Sequence, residues 1–226
     1  MAKLKSTDEL DETALQILEA ASSRFLHYGY GKTTMSEIAR DCNMSTGNLY
    51  RYFPAKMDIA EAFVRVLRRE HIAKLTAAAL EPKGLTPEER LRRFLRTKFK
   101  LAYDRFHDRP KAFELSTEII RERHHVAERW QAAEANLIAD ILSVGEAEGV
   151  FRIDDKPRMA HIIQDMVYRF TTPVVFHEGD CEELSGELDD IIDMILDAFA
   201  WRRGDKASKP GDQPKRMRVS DLESAP

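Results

Sequence analysis

A chain of 226 residues with 43% hydrophobic and 33% charged side chains carries enough apolar material for a buried core, which excludes wholesale disorder. Its two cysteines, Cys42 and Cys181, stand far apart without metal-ligand spacing, so neither a disulfide framework nor a zinc centre is expected. The formal charge of −4 is uneven, with acids at Asp8, Glu9, Asp11 and Glu12 and a Lys- and Arg-rich stretch from Arg24 to Lys74.

Charges interrupt every apolar stretch before residue 13, and no apolar run approaches the ~20 residues that a membrane helix needs. Neither a secretory leader nor a membrane partner is therefore expected, and the cytoplasm is the expected compartment. Leu10, Ala14, Ile17, Leu18, Ala21 and Phe25 recur at three- and four-residue steps and predict a helix from about residue 9 to Gly29. Ser6 and Glu9 fit a capping box at its start. Two short helical pieces follow, then a longer helix from about Lys56 to Ala79.

Glu81-Pro82-Lys83-Gly84 is turn chemistry. Thr86-Pro87-Glu88-Glu89 then supplies a cap, a first-turn proline and a capping-box glutamate for a helix reaching about His107. Further helices are predicted over about 111–123 and from Val126 to near Gly149. The clearest stripes come last: Met159, Ile162, Ile163, Met166, Val167, Phe170 and Val174 form one, with Pro173 kinking or ending it. Leu184, Leu188, Ile191, Ile192, Ile195, Leu196 and Phe199 form the other. From Arg203 the chain has little to bury and reads as a disordered basic tail. No segment alternates as a strand would, so the fold class is all-α, with about nine helices.

The informative stretch runs from Thr33 to Lys56. Thr34 and Glu37 form a capping box that opens a short helix with Ile38 and Ala39 facing inward. Asn43 sits where the chain must turn, and Asn tolerates the left-handed conformation. Ser45 can cap a second short helix that carries Thr46, Gly47, Asn48, Leu49 and Tyr50, with Leu49 and Phe53 pointing into a core. Helix, tight turn, helix is the geometry that lays a second helix in the major groove of double-stranded DNA. Thr46 and Asn48 suit base edges or phosphates, and Gly47 allows close approach. Tyr50, Arg51 and Tyr52 offer phosphate-directed groups. Thr33 or Thr34 can bring backbone N–H groups to a phosphate.

The ordered set Ile17-Leu18-Glu19-Ala20-Ala21, Phe25, Gly29-Tyr30, Thr33-Thr34, Ile38-Ala39, Ser45-Thr46-Gly47, Leu49-Tyr50, Tyr52-Phe53 and Lys56 strongly resembles the TetR family of transcriptional regulators. Cys42-Asn43-Met44 stands where the family often has Ala-Gly-Val, and Ala55 stands where it often has a capping Ser or Asn. The resemblance implies a helix-turn-helix head over residues 1–55 and a regulatory, dimerising body over 56–202, with the tail at 203–226. It also implies Lys56 as a phosphate contact, a pocket for a small-molecule effector in the body, and a homodimer built on the last two helices. Repression is the family's usual mode. On that reading Ser45 joins the DNA-binding set, and Phe99, Tyr103, Phe106, Phe113, Trp130 and Phe170 are the pocket candidates. Ile163, Val167, Val174, Ile191, Ile195 and Phe199 are the dimer candidates.

Several residues carry plainer readings. Cys42 reads as a small core residue, and adjacent helical residues such as His124 and His125 point about 100° apart and converge poorly on one ion. Arg92, Arg93, Arg96, Lys98 and Lys100 read as a solvated helical face. No phosphate loop, metalloprotease motif, nucleophile elbow or closely spaced Cys/His set is present, so no catalytic residue, metal or cofactor is expected. A DNA-binding regulator without a ligand, or a helical adaptor, remain the alternatives.

Overall fold

Nine α-helices and one 3-10 turn, with no strand, make up the described residues. The computed structural model describes residues 10–80, 84–107, 109–172, 176 and 179–202. The proposed capping residues Ser6 and Glu9, the turn at 81–83, Pro173, Val174 and the tail from residue 203 lie outside that set.

Helix α1 spans Glu12–His27 and starts on Asp11, whose carboxylate accepts from the Ala14 N–H. Its C-terminus passes through Gly29 at φ +95°, a conformation that costs an L side chain and costs glycine little. Helices α2 (Met35–Asp41) and α3 (Thr46–Tyr52) follow, and α4 (Lys56–Leu80) carries the chain away from them. Ile17, Ala21, Phe25, Ile38, Leu49 and Ile59 fill the core that these four helices share.

The body is α5 (Pro87–Phe106), α6 (Pro110–Glu122), α7 (His124–Ala147), α8 (Lys156–Met166) and α9 (Cys181–Arg202), with the 3-10 turn Tyr168–Thr171 after α8. Thr86 and Glu89 close the expected capping box on α5, with Pro87 in its first turn. Helix α5 is central and packs on α4, α6, α7 and α9. Gly145 in α7 is demanded by packing: a Cβ there would lie 2.1 Å from Cδ2 of Phe151, a ring that also packs 5.1 Å from Phe199.

The stripe that begins at Met159 divides: regular helix ends at Met166, and Phe170 belongs to the 3-10 turn. Helix α6 has a double allegiance. It follows the body in sequence, but its Leu115 and Ile119 complete the core of α1–α4.

Candidate nucleic-acid interface and body cavity

The helix-turn-helix forms from local chemistry. The Thr34 Oγ1 accepts from the Glu37 N–H, and the Glu37 carboxylate accepts from the Thr34 N–H at 2.9 Å, closing the capping box. The same carboxylate accepts from the Thr34 hydroxyl at 2.7 Å, and these bonds hold it below the usual range. Arg24 of α1 reaches Asp41 and Glu37, which fixes α2 across α1. The turn is made by Asn43 at φ +53°, the one described non-glycine residue in the left-handed region. Ser45 then accepts from the Asn48 N–H at 3.1 Å and starts α3.

Leu49 is fully buried while Gly47, Tyr50, Arg51 and Tyr52 are exposed and Thr46 and Asn48 are partly so. Helix α3 therefore turns a polar face outward from a buried anchor. A Cβ built on Gly47 would meet nothing within 4 Å, so no contact inside the chain requires glycine there.

Lys56, at the start of α4, donates to the carbonyls of Tyr30 (2.6 Å) and Thr33 (2.7 Å) and lies 4.2 Å from the centroid of the Tyr30 ring. It clasps the loop that leads into α2. Helix α6 supports the same loop from beneath. The Glu114 carboxylate accepts from the Gly31 N–H at 3.4 Å, and Arg123, between α6 and α7, reaches Asp58 and Glu61 of α4 at 3.2 and 3.3 Å.

Two cavities open in the body between α4, α5 and α6 and between α4, α5, α6 and α7, with volumes of about 610 and 400 Å³. Arg68, His71, Arg105, Phe106 and Ser116 line both. The larger reaches Leu26 on α1. Charged side chains converge where the cavities meet: Glu134 of α7 lies 2.9 Å from Lys98, 3.1 Å from Nε2 of His71 and 3.5 Å from Arg68. Burial pushes the Glu134 carboxyl up, but the His71 hydrogen bond and the Lys98 ammonium outweigh it and hold the group at about 2. Burial also lowers His71, more than Glu134 raises it, so the ring is neutral at pH 7.

Two family models match this chain. Residues 17–63 match the one described as bacterial regulatory proteins, tetR family, and residues 87–192 match the tetracyclin repressor-like, C-terminal domain. The chain belongs to the TetR family. The HTH-type transcriptional regulator TtgR of Pseudomonas putida is 31% identical over 67 residues, 30% of this chain and 32% of that protein. HbdR of Aromatoleum, also an HTH-type transcriptional regulator, is 44% identical over 50 residues, 22% of each. The chain thus aligns with a third or less of the length of these curated relatives. FadR of Bacillus subtilis, solved in complex with stearoyl-CoA, superposes with a TM-score of 0.61 at 19% identity over 80% of this chain and 97% of that one, a likeness of fold.

Within this TetR-family frame the expected DNA-contact residues separate into two groups. Thr46, Gly47, Asn48, Tyr50, Arg51 and Tyr52 come together on α3. Thr33 does not join them: its side chain is buried, its hydroxyl donates to the Gly29 carbonyl at 2.9 Å and its N–H donates to Tyr30. Thr34 and Ser45 are capping residues, and Lys56 is engaged by the Tyr30–Thr33 loop.

Of the six pocket candidates, Phe106, Phe113 and Trp130 line the cavities. Phe99, Tyr103 and Phe170 instead fill the core between α5, the 3-10 turn and Phe176. The dimer candidates need the larger correction. Ile163, Val167, Ile195 and Phe199 are buried within the chain's own core, Ile191 is half-buried against it, and Val174 lies outside the described residues. The most apolar stripe of a helix packs inward first. Among the described residues, the large apolar side chains that α8 and α9 leave exposed are Ile162, Met166 and Met194.

The basic run on α5 is not a solvated face throughout. Arg92 and Arg96 pair with Asp189 and Arg92 also with Asp193, joining α5 to α9, and Lys98 is buried against Glu134. The burial of the ionisable side chains His71, Lys98 and Glu134 is not read from the sequence. Their signal was position, since Lys98 occupies the stripe of Leu91, Phe94, Leu95 and Ala102, and Glu134 adjoins Ala135 and Ile138.

Proposed function

We propose that this chain is a sequence-specific DNA-binding regulator that represses transcription as a dimer and is released from its operator by a small molecule held in the body. The observation that carries the reading is the face of α3. A seven-residue helix is capped at Ser45, anchored by Leu49, and presents Thr46, Asn48, Tyr50, Arg51 and Tyr52 outward. Glycine inside a helix costs roughly 1 kcal/mol relative to alanine. Gly47 has no internal reason for that cost, and close approach of a DNA backbone supplies one. Thr46 and Asn48 read base edges while Tyr50, Arg51 and Tyr52 hold phosphates.

A second copy of the chain covers the outward face of α8 and α9 at Ile162, Met166 and Met194, and two α3 helices then enter major grooves roughly 34–36 Å apart. The effector occupies the body cavities, a reading supported by the FadR fold, which holds stearoyl-CoA in the similar structure. Helix α6 transmits its presence. Lys111 and Ser116 of α6 line the larger cavity, Glu114 supports the Gly29–Gly31 loop, and Arg123 grips α4. A ligand that prefers one position of α6 shifts the spacing of the two heads, a coupling typically worth 1–3 kcal/mol.

The test is fluorescence anisotropy with DNA from the region upstream of the protein's own gene. The reading predicts saturation at two chains per site, at least a hundredfold tighter than for unrelated DNA, with Asn48→Ala erasing most of the difference. Binding that ignores sequence in both proteins contradicts it.

A further inference from the structure

The chain carries a net charge of −4, yet its body cavities are cationic. The larger is lined by five Lys and Arg side chains against two carboxylates, Glu70 and Asp104. In the smaller cavity Arg68, Lys98 and Arg105 stand with two carboxylates, the exposed Asp165 and the buried Glu134, and Glu134 already takes Lys98, Arg68 and His71. Among the described residues no carboxylate forms an ion pair with Arg105, whose nearest aromatic contact is the Phe106 ring at 6.0 Å. Burial, and then the charge of Arg68, pull the Arg105 guanidinium down to about 10, so it stays protonated with its charge under-compensated. Among the described residues two buried polar side-chain atoms lack partners, Nε of Arg68 and Nδ1 of His71. Buried polar atoms are normally satisfied, and buried charges are normally paired.

The rest of the lining is apolar. Phe63, Leu67, Leu101 and Leu115 wall the larger cavity, and Phe113 and Trp130 wall the smaller. We infer that the effector is an amphipathic organic anion, whose charged head group sits at Arg68 and Arg105 and whose apolar body fills the cavity toward Leu26 of α1. The head group accepts from the Arg68 Nε–H and completes the charge balance of Arg105. The apolar body lies between α1, α4 and α6, the elements that set the position of the head. This deepens the effector reading above and rests on it for its regulatory meaning.

The experiment uses two fluorescent probes with one ring skeleton: 8-anilino-1-naphthalenesulfonate, which is anionic, and N-phenyl-1-naphthylamine, which is neutral. Each is titrated into the full chain at fixed low ionic strength. The expected result is saturation by the sulfonate at one per chain, at least tenfold tighter than the neutral probe. Arg105→Gln should reduce that preference at least fivefold, Arg105→Lys should keep it, and Arg93→Gln, at an exposed position outside the cavities, should leave it unchanged.

Equal affinity for the two probes overturns the inference, as does a preference that survives Arg105→Gln. The wild-type comparison decides even if the Arg105 variants fold poorly. Operator anisotropy in the same titrations separates the two readings. Charge-selective binding that leaves DNA affinity unchanged supports the anion site and removes the effector role. Release of DNA by both probes alike keeps the effector role and overturns the anion inference.

Discussion

Replacing Glu134 with glutamine removes the one buried carboxylate that Lys98 and Arg68 share, without changing side-chain volume. The magnitude can be worked from its ionisation. The carboxyl sits at about 2 in the folded chain against an ordinary 4.5, a difference that amounts to about 3 kcal/mol of stability at neutral pH. Breaking a buried pair from one side generally costs about 3–5 kcal/mol because the partner charge is left uncompensated. Because the folded value is depressed, this contribution is complete above pH 4.5 and disappears as pH falls toward 2.

Urea unfolding followed by circular dichroism should therefore show Glu134→Gln less stable by about 3 kcal/mol at pH 7. The gap between variant and parent should close between pH 4.5 and 2. Pairing the change with Lys98→Met should recover part of the loss, since the ammonium that Glu134→Gln leaves uncompensated is then removed as well. A variant within about 1 kcal/mol of the parent at pH 7, or a gap independent of pH, would show that Glu134 does not hold these cations in the interior.

Gly145→Ala should destabilise by about 1–3 kcal/mol, because its methyl group must displace the Phe151 ring, and a urea midpoint equal to the parent's would contradict that. Lys56→Ala should weaken binding to every DNA sequence by loosening the Tyr30–Thr33 loop while leaving the salt slope unchanged; a slope lower by about one would make Lys56 a direct phosphate contact. Arg123→Ala leaves Asp58 and Glu61 without that cation and should cost about 1–3 kcal/mol of stability by thermal melting, whereas an unchanged melting temperature removes the α6–α4 clasp from the account.

Much of the helix-turn-helix was legible because its determinants are local. Thr34 with Glu37, Asn43 in the left-handed region and Ser45 with the Asn48 N–H each act within four residues. Helix ends were legible where a cap or proline marked them, as at Thr86-Pro87, and less so at α1, where Asp11 caps the helix. Side-chain roles that depend on tertiary packing were not legible. Thr33 reads as a helix-terminus residue until the Gly29 carbonyl takes its hydroxyl. Ile163 and Phe199 read as an outer seam because a stripe in sequence does not say which neighbour covers it. Lys98 and Glu134 look like surface charges in composition, and only the stripes they interrupt place them in the interior.

On the reading proposed above, α3 reads DNA sequence as half of a symmetric pair. Selection of the purified protein against a random double-stranded DNA library tests it most directly. The expected result is an enriched consensus with two-fold symmetry, half-sites about one helical turn apart or a small departure from it, and loss of that consensus in Thr46→Ala/Asn48→Ala. A library that shows no enriched sequence, or the same consensus from that variant, would contradict it.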